Sequence, residues 1–99
     1  MMETTTTTAS LVITAAVNDR IAKDNKFAMH VWRSLLRFNV GDWGDTHADD
    51  WAANDADAAS IKAGHGGRVL AVYGADGSGS RIWIIRDALA ITVLFPEDY

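Results

Sequence analysis

The chain has no cysteine. Disulfides, thiolate nucleophiles and cysteine-ligated zinc are therefore excluded, which fits a reducing cytoplasm. Its only proline is Pro96, which cannot donate to a sheet ladder and is expected to end the last strand. No apolar run approaches the ~18 residues that a membrane-spanning helix needs. The first residues lack a basic region followed by an apolar block, so no secretory signal is expected. Positive charge is also scarce, with 9 Lys and Arg against 13 Asp and Glu and a net charge of −4. Direct nucleic-acid binding, which rests on phosphate neutralisation, is not expected of such a chain. Catalytic signatures are missing too. Ser34, Ser60, Ser78 and Ser80 sit in no G-x-S-x-G context. The glycine-rich run Ala63–Gly67 follows a helical pattern instead of preceding one, so it reads as a helix stop and not as a phosphate loop.

What the chain does contain is a dense acidic stretch. Gly41–Asp57 reads GDWGDTHADDWAANDAD and holds six aspartates, Asp42, Asp45, Asp49, Asp50, Asp55 and Asp57, with no Lys or Arg. Trp43 sits between Asp42 and Gly44, and Trp51 opens the helical pattern that follows. Upstream, Arg20–Arg37 carries five basic residues and one acid, Asp24. Segregated charge of this kind either balances across the fold or steers a charged partner.

Ninety-nine residues make one domain. Residues 1–10, with five consecutive threonines, read as a flexible tail ahead of a single domain over 11–99. Leu11-Val12-Ile13 reads as a short strand. Thr14 can cap a helix over Ala15–Lys23, with Val17 and Ile21 on one face. After a break at Asp24-Asn25-Lys26, Phe27, Val31, Leu35 and Phe38 recur at helical spacing, with Trp32 and Leu36 widening the apolar stripe. Thr46 and Asp49 have the spacing of a capping box for a third helix over His47–Ala63, ended by Gly64. Arg68–Tyr73, Arg81–Arg86 and Ala90–Phe95 are strand-like, and residues 74–80 read as a flexible hairpin loop between the first two. The expected fold is α+β, with a short N-terminal strand, three helices and a three-stranded antiparallel meander. Both faces of that meander are apolar, so a cover is expected on each side. Helices supply one cover; the N-terminal segment or a second copy of the chain would supply the other. Trp32 and Trp83 lie on strongly periodic elements and are expected in the core.

Several pieces together resemble a family of small bacterial proteins carried on plasmids, phages and other mobile elements. They are GDWG (41–44), DWAANDA (50–56), GGRVLAVY (66–73), IWII (82–85) and TVLFPEDY (92–99), with Ile13-Thr14-Ala15 matching the family's first strand and helix cap. Members often carry the label of a type I restriction modification subunit. This chain has neither a glycine-rich cofactor loop after a strand nor an Asn/Asp-Pro-Pro-aromatic motif. The mobile-element resemblance implies a different role: a cytoplasmic, non-enzymatic inhibitor of a host defence complex, of the anti-CRISPR kind. Its acidic segment would compete with nucleic acid for a basic surface on that complex. The expected partner-binding residues are Asp42, Trp43, Asp45, Asp49, Asp50, Asp55 and Asp57, with no cofactor, no metal and no membrane contact. Two alternatives stand beside this reading. One is a small metal-dependent enzyme centred on Asp42, Asp45 and His47, and the other is a homodimeric accessory or regulatory protein.

Overall fold

The computed structural model describes residues 9–74 and 80–99. Most of the expected tail (1–8) and the centre of the expected hairpin loop (75–79) lie outside the described residues. The chain runs through strand β1 (Ser10–Ile13), helices α1 (Ala15–Lys23), α2 (Asn25–Asn39) and α3 (Ala48–Lys62), and strands β2 (Val69–Tyr73), β3 (Ile82–Arg86) and β4 (Ala90–Leu94). Pro96–Asp98 then forms a single 3-10 turn.

Local chemistry explains the helix boundaries. Thr14 is extended, and its hydroxyl accepts the Val17 N–H at 3.4 Å to start α1. The expected three-residue break after α1 is in fact one residue. Asp24, in extended conformation, ends α1, and its Oδ1 accepts the N–H groups of Lys26 and Phe27 at 3.1 Å each to start α2. Arg20, one turn back, donates to its other oxygen at 3.1 Å. At α3 the cap is His47, not Thr46: His47 Nδ1 accepts the Asp49 N–H at 3.2 Å. The capping-box spacing misleads here because the Thr46 hydroxyl is engaged by the sheet.

The three-stranded meander is present, and β1 enlarges it into a mixed four-stranded sheet of order β1-β4-β3-β2. β1 runs parallel to β4 in the register Leu11↔Ile91 and Ile13↔Val93. The remaining pairs are antiparallel, with Ala71↔Ile84 and Ile84↔Val93 in line across the sheet. The run Leu11-Val12-Ile13 has the β-branched composition that lets it satisfy the otherwise bare edge of β4.

The helices cover one sheet face. Val69, Ala71, Tyr73, Ile82, Ile84 and Val93 are buried there against Val17, Phe27, Val31, Phe38 and Trp43. On the other face Leu70, Val72, Trp83, Ile85 and Thr92 are half-buried. Among the described residues, the C-terminal residues reach that face. The Tyr99 ring meets Trp83 edge-on at 5.5 Å, and Arg68 lies over the Tyr99 ring at 5.3 Å. Trp83 is thus half-buried on this face instead of deep in the core. Trp32 departs further from expectation: it is exposed on α2, as is Leu36, while His30 and Ser34 take buried positions. The α2 sequence is apolar on two sides, and its periodicity alone does not say which side meets the sheet.

Gly44 fixes how the loop before α3 meets β2. Its φ is +66°, and a Cβ there would sit 2.5 Å from both the Tyr73 ring and the Val72 carbonyl. Gly41 has φ +80° with open space around it. In urea denaturation, Gly44→Ala is expected to cost about 3 kcal/mol, from left-handed strain plus overpacking, and Gly41→Ala about 1 kcal/mol from strain alone. Equal costs for the two would show that the close packing against Tyr73 is unimportant.

Candidate functional site

The acidic segment divides into a part that builds the fold and a part that faces outward. Asp42 belongs to the first. Its carboxylate receives Arg37 Nε at 2.9 Å, Arg37 Nη2 at 3.2 Å and the Gly44 N–H at 3.0 Å. The Arg37 bond, followed by the Gly44 N–H, holds its carboxyl below the usual aspartate range. Its backbone carbonyl accepts the Tyr73 hydroxyl at 2.7 Å. Burial, helped by the Asp42 charge, pushes that phenol well above its ordinary value.

Trp43 is in the core. Its ring packs edge-on against Phe38 at 5.2 Å, and its Nε1–H donates to Asp55 Oδ1 at 2.8 Å. The anchor expected at Trp43 is therefore not a surface group, and Asp55 is occupied by the indole. A buried indole N–H requires an acceptor, and a carboxylate two helical turns into α3 supplies it.

Asp45, Thr46 and Asn54 serve the edge of β2. Antiparallel pairing with β3 leaves the backbone groups of Leu70, Val72 and Gly74 pointing outward. Gly44 makes a parallel bridge to Val72, and the Asp45 N–H donates to the Val72 carbonyl at 2.7 Å. The Thr46 hydroxyl accepts the Val72 N–H at 3.0 Å, and Asp45 Oδ2 accepts the Gly74 N–H at 2.8 Å. Buried Asn54 reaches from α3 with both ends of its amide, accepting the Leu70 N–H at 3.3 Å and donating to the Leu70 carbonyl at 2.8 Å. Sequence reading missed Thr46 and Asn54 in this role. The available signal was an amide on the inner side of an alanine-rich helix, where only a polar backbone neighbour justifies one.

Asp49, Asp50 and Asp57 make up the outward part. Asp49 and Asp50 occupy the exposed first turn of α3, where the helix dipole favours acids. Asp57 lies two turns on and is half-buried. Asp50 and Asp57 line an open groove between α3 and β2 with His47, Arg68 and Leu70. No salt bridge engages either of them among the described residues, and His47 Nδ1 stands 3.9 Å from Asp49. Of the seven residues expected to bind a partner, the structure thus keeps three carboxylates together on α3 and engages Asp42, Trp43, Asp45 and Asp55 in internal contacts. Among the described residues no three His, Asp or Glu side chains are grouped to hold a metal ion. Asp42 and Asp45, the donors of the metal alternative, are turned to Arg37 and to the Gly74 N–H. Family models give no match to this chain. Curated proteins and solved structures give none either.

Two predictions follow from the internal contacts. Asn54→Ala removes both caps from Leu70 and is expected to cost about 2 kcal/mol in urea denaturation, for the edge groups left without protein partners. An unchanged midpoint would mean that water replaces the amide at no cost. Asp42, Asp24 and Asp87 all have carboxyls held below the usual range, by Arg37, by the Phe27 N–H and by the Leu89 N–H respectively. Their contribution is complete above the unfolded aspartate value of about 4 and is lost as pH falls through the lower folded values. Urea midpoints should therefore fall steeply below that pH, and Asp42→Asn should flatten the drop.

Proposed function

We propose that the protein is a non-enzymatic binding protein that inhibits a host defence complex by occupying a basic, nucleic-acid-binding surface. The observation that supports this reading is the placement of Asp49, Asp50 and Asp57 together on one short helix. None of them has a Lys or Arg partner among the described residues. Carboxylates on a helix present negative charge on an ordered scaffold at low conformational cost, and a surface built to hold phosphates attracts them. The mobile-element resemblance of the GDWG, DWAANDA and LFPEDY pieces supplies the kind of target, a CRISPR-associated or related complex in the bacterial cytoplasm. The internal bonds of Asp42, Asp45 and Asp55 narrow the proposed contact from the whole acidic segment to the α3 carboxylates.

The test is a pull-down from host lysate with the tagged protein, followed by a nucleic-acid-binding assay on the captured complex. A defence subunit that loses its nucleic acid when this protein binds is the expected result. The Asp49→Asn, Asp50→Asn, Asp57→Asn variant should release that subunit while retaining its circular-dichroism spectrum. Added salt should weaken the wild-type contact, because it rests on opposite charges. Capture that persists at every salt concentration and in the triple variant would defeat the charge-competition reading.

A further inference from the structure

Helix α2 has a second apolar face. Phe27, Val31, Ser34 and Phe38 point into the core. On the opposite side Met29, Trp32 and Leu36 follow the i, i+3, i+7 spacing of one continuous stripe, which Val40, the residue that caps the end of α2, extends. Their exposures are 49%, 57%, 68% and 80%, and they account for four of the eight large exposed hydrophobics among the described residues. Single exposed apolar residues are ordinary, but an aligned row with a tryptophan at its middle is not. Burying these side chains elsewhere is the usual return for keeping them on a surface.

Charge selects the occupant. Lys26, Arg33 and Arg37 share the spacing that places them along one border of the stripe, and α2 contains no acid. Arg37 is held by Asp42, while Lys26 and Arg33 are exposed and make no ion pair among the described residues. Two copies packed through this face with α2 antiparallel would bring their basic borders together. That arrangement is repulsive. An acidic border on the incoming element removes the conflict.

We propose that the outward face of α2 is a docking site for an amphipathic helix of another protein, with Met29, Trp32, Leu36 and Val40 meeting its apolar stripe and Lys26 and Arg33 meeting acids along its border. This is helix-on-helix recognition with the anchors on the folded partner. It does not rest on the α3 carboxylates, which lie on a different helix.

The probe is a fluorescein-labelled designed helical peptide with a leucine stripe bordered on one side by glutamates, compared by fluorescence anisotropy with the same peptide carrying lysines at those positions. The glutamate peptide should bind the full chain, and the lysine peptide should bind at least about tenfold more weakly. Trp32→Ser and Leu36→Ser should each weaken the glutamate peptide about tenfold or more, as anchor truncations do. Arg33→Glu should shift the preference towards the lysine peptide. These side chains are exposed, so unchanged circular dichroism and melting are expected and separate lost docking from lost fold. The Asp49→Asn, Asp50→Asn, Asp57→Asn variant should bind the peptide as wild type does, so failure of the inhibitor reading leaves this result standing. Equal affinity for both peptides, no binding of the glutamate peptide, or indifference to Trp32→Ser would overturn the proposal. So would sedimentation showing a dimer that Trp32→Ser dissolves, because a second copy would then be the occupant.

Discussion

The outer edge of β2 is the constraint on which the rest of the architecture depends. A strand at the border of a sheet leaves alternate backbone groups without partners, and such a row either recruits another strand or must be closed. Here the closure is made by the chain between α2 and α3. The Gly44 bridge, the Asp45 main chain and side chain, the Thr46 hydroxyl and the Asn54 amide together engage Leu70, Val72 and Gly74. Because these contacts lie within 11 residues of one another in sequence, from Gly44 to Asn54, they fix the start of α3 and the angle at which it approaches the sheet. The same loop seats Trp43 in the core and brings the Asp42 carbonyl to Tyr73.

The density of acid in this region therefore has more than one cause. Asp42 neutralises Arg37 at the end of α2, Asp55 accepts an indole proton, and Asp45 completes the strand edge. Each is a local demand of folding, and each is met by a carboxylate because a charged acceptor makes a stronger bond than a neutral one. Asp49, Asp50 and Asp57 answer no comparable demand. The difference between the two groups is visible in their partners and not in their spacing along the chain.

A parallel division runs through α2. One face is committed to Tyr73, Ile84 and the rest of the core, and the other offers a stripe of similar size to solvent. The protein thus presents two chemically distinct outward surfaces, acidic on α3 and apolar with a basic border on α2. The internal bonds of Arg37 and Asp42 join the helix that carries one surface to the loop that leads to the other.

Much of the fold was legible in the residues themselves. The cap at Thr14, the Phe27–Val31–Phe38 spacing, the helix stop at Gly64 and the β-rich last third all act through local chemistry, and the elements formed close to where that chemistry places them. The site was less legible. Acid content marked the stretch from Asp42 to Asp57, but only three-dimensional neighbours separate the carboxylates that hold the loop from those that face outward. The position of β1 beside β4, the exposure of Trp32 and the use of Thr46 and Asn54 to close an edge were likewise settled by tertiary structure. Periodicity and capping depend on residues a few positions apart and are written in order along the chain. Which apolar face is covered, and which polar group meets a bare strand, depends on segments 16 to 26 residues apart that come together only when the sheet forms.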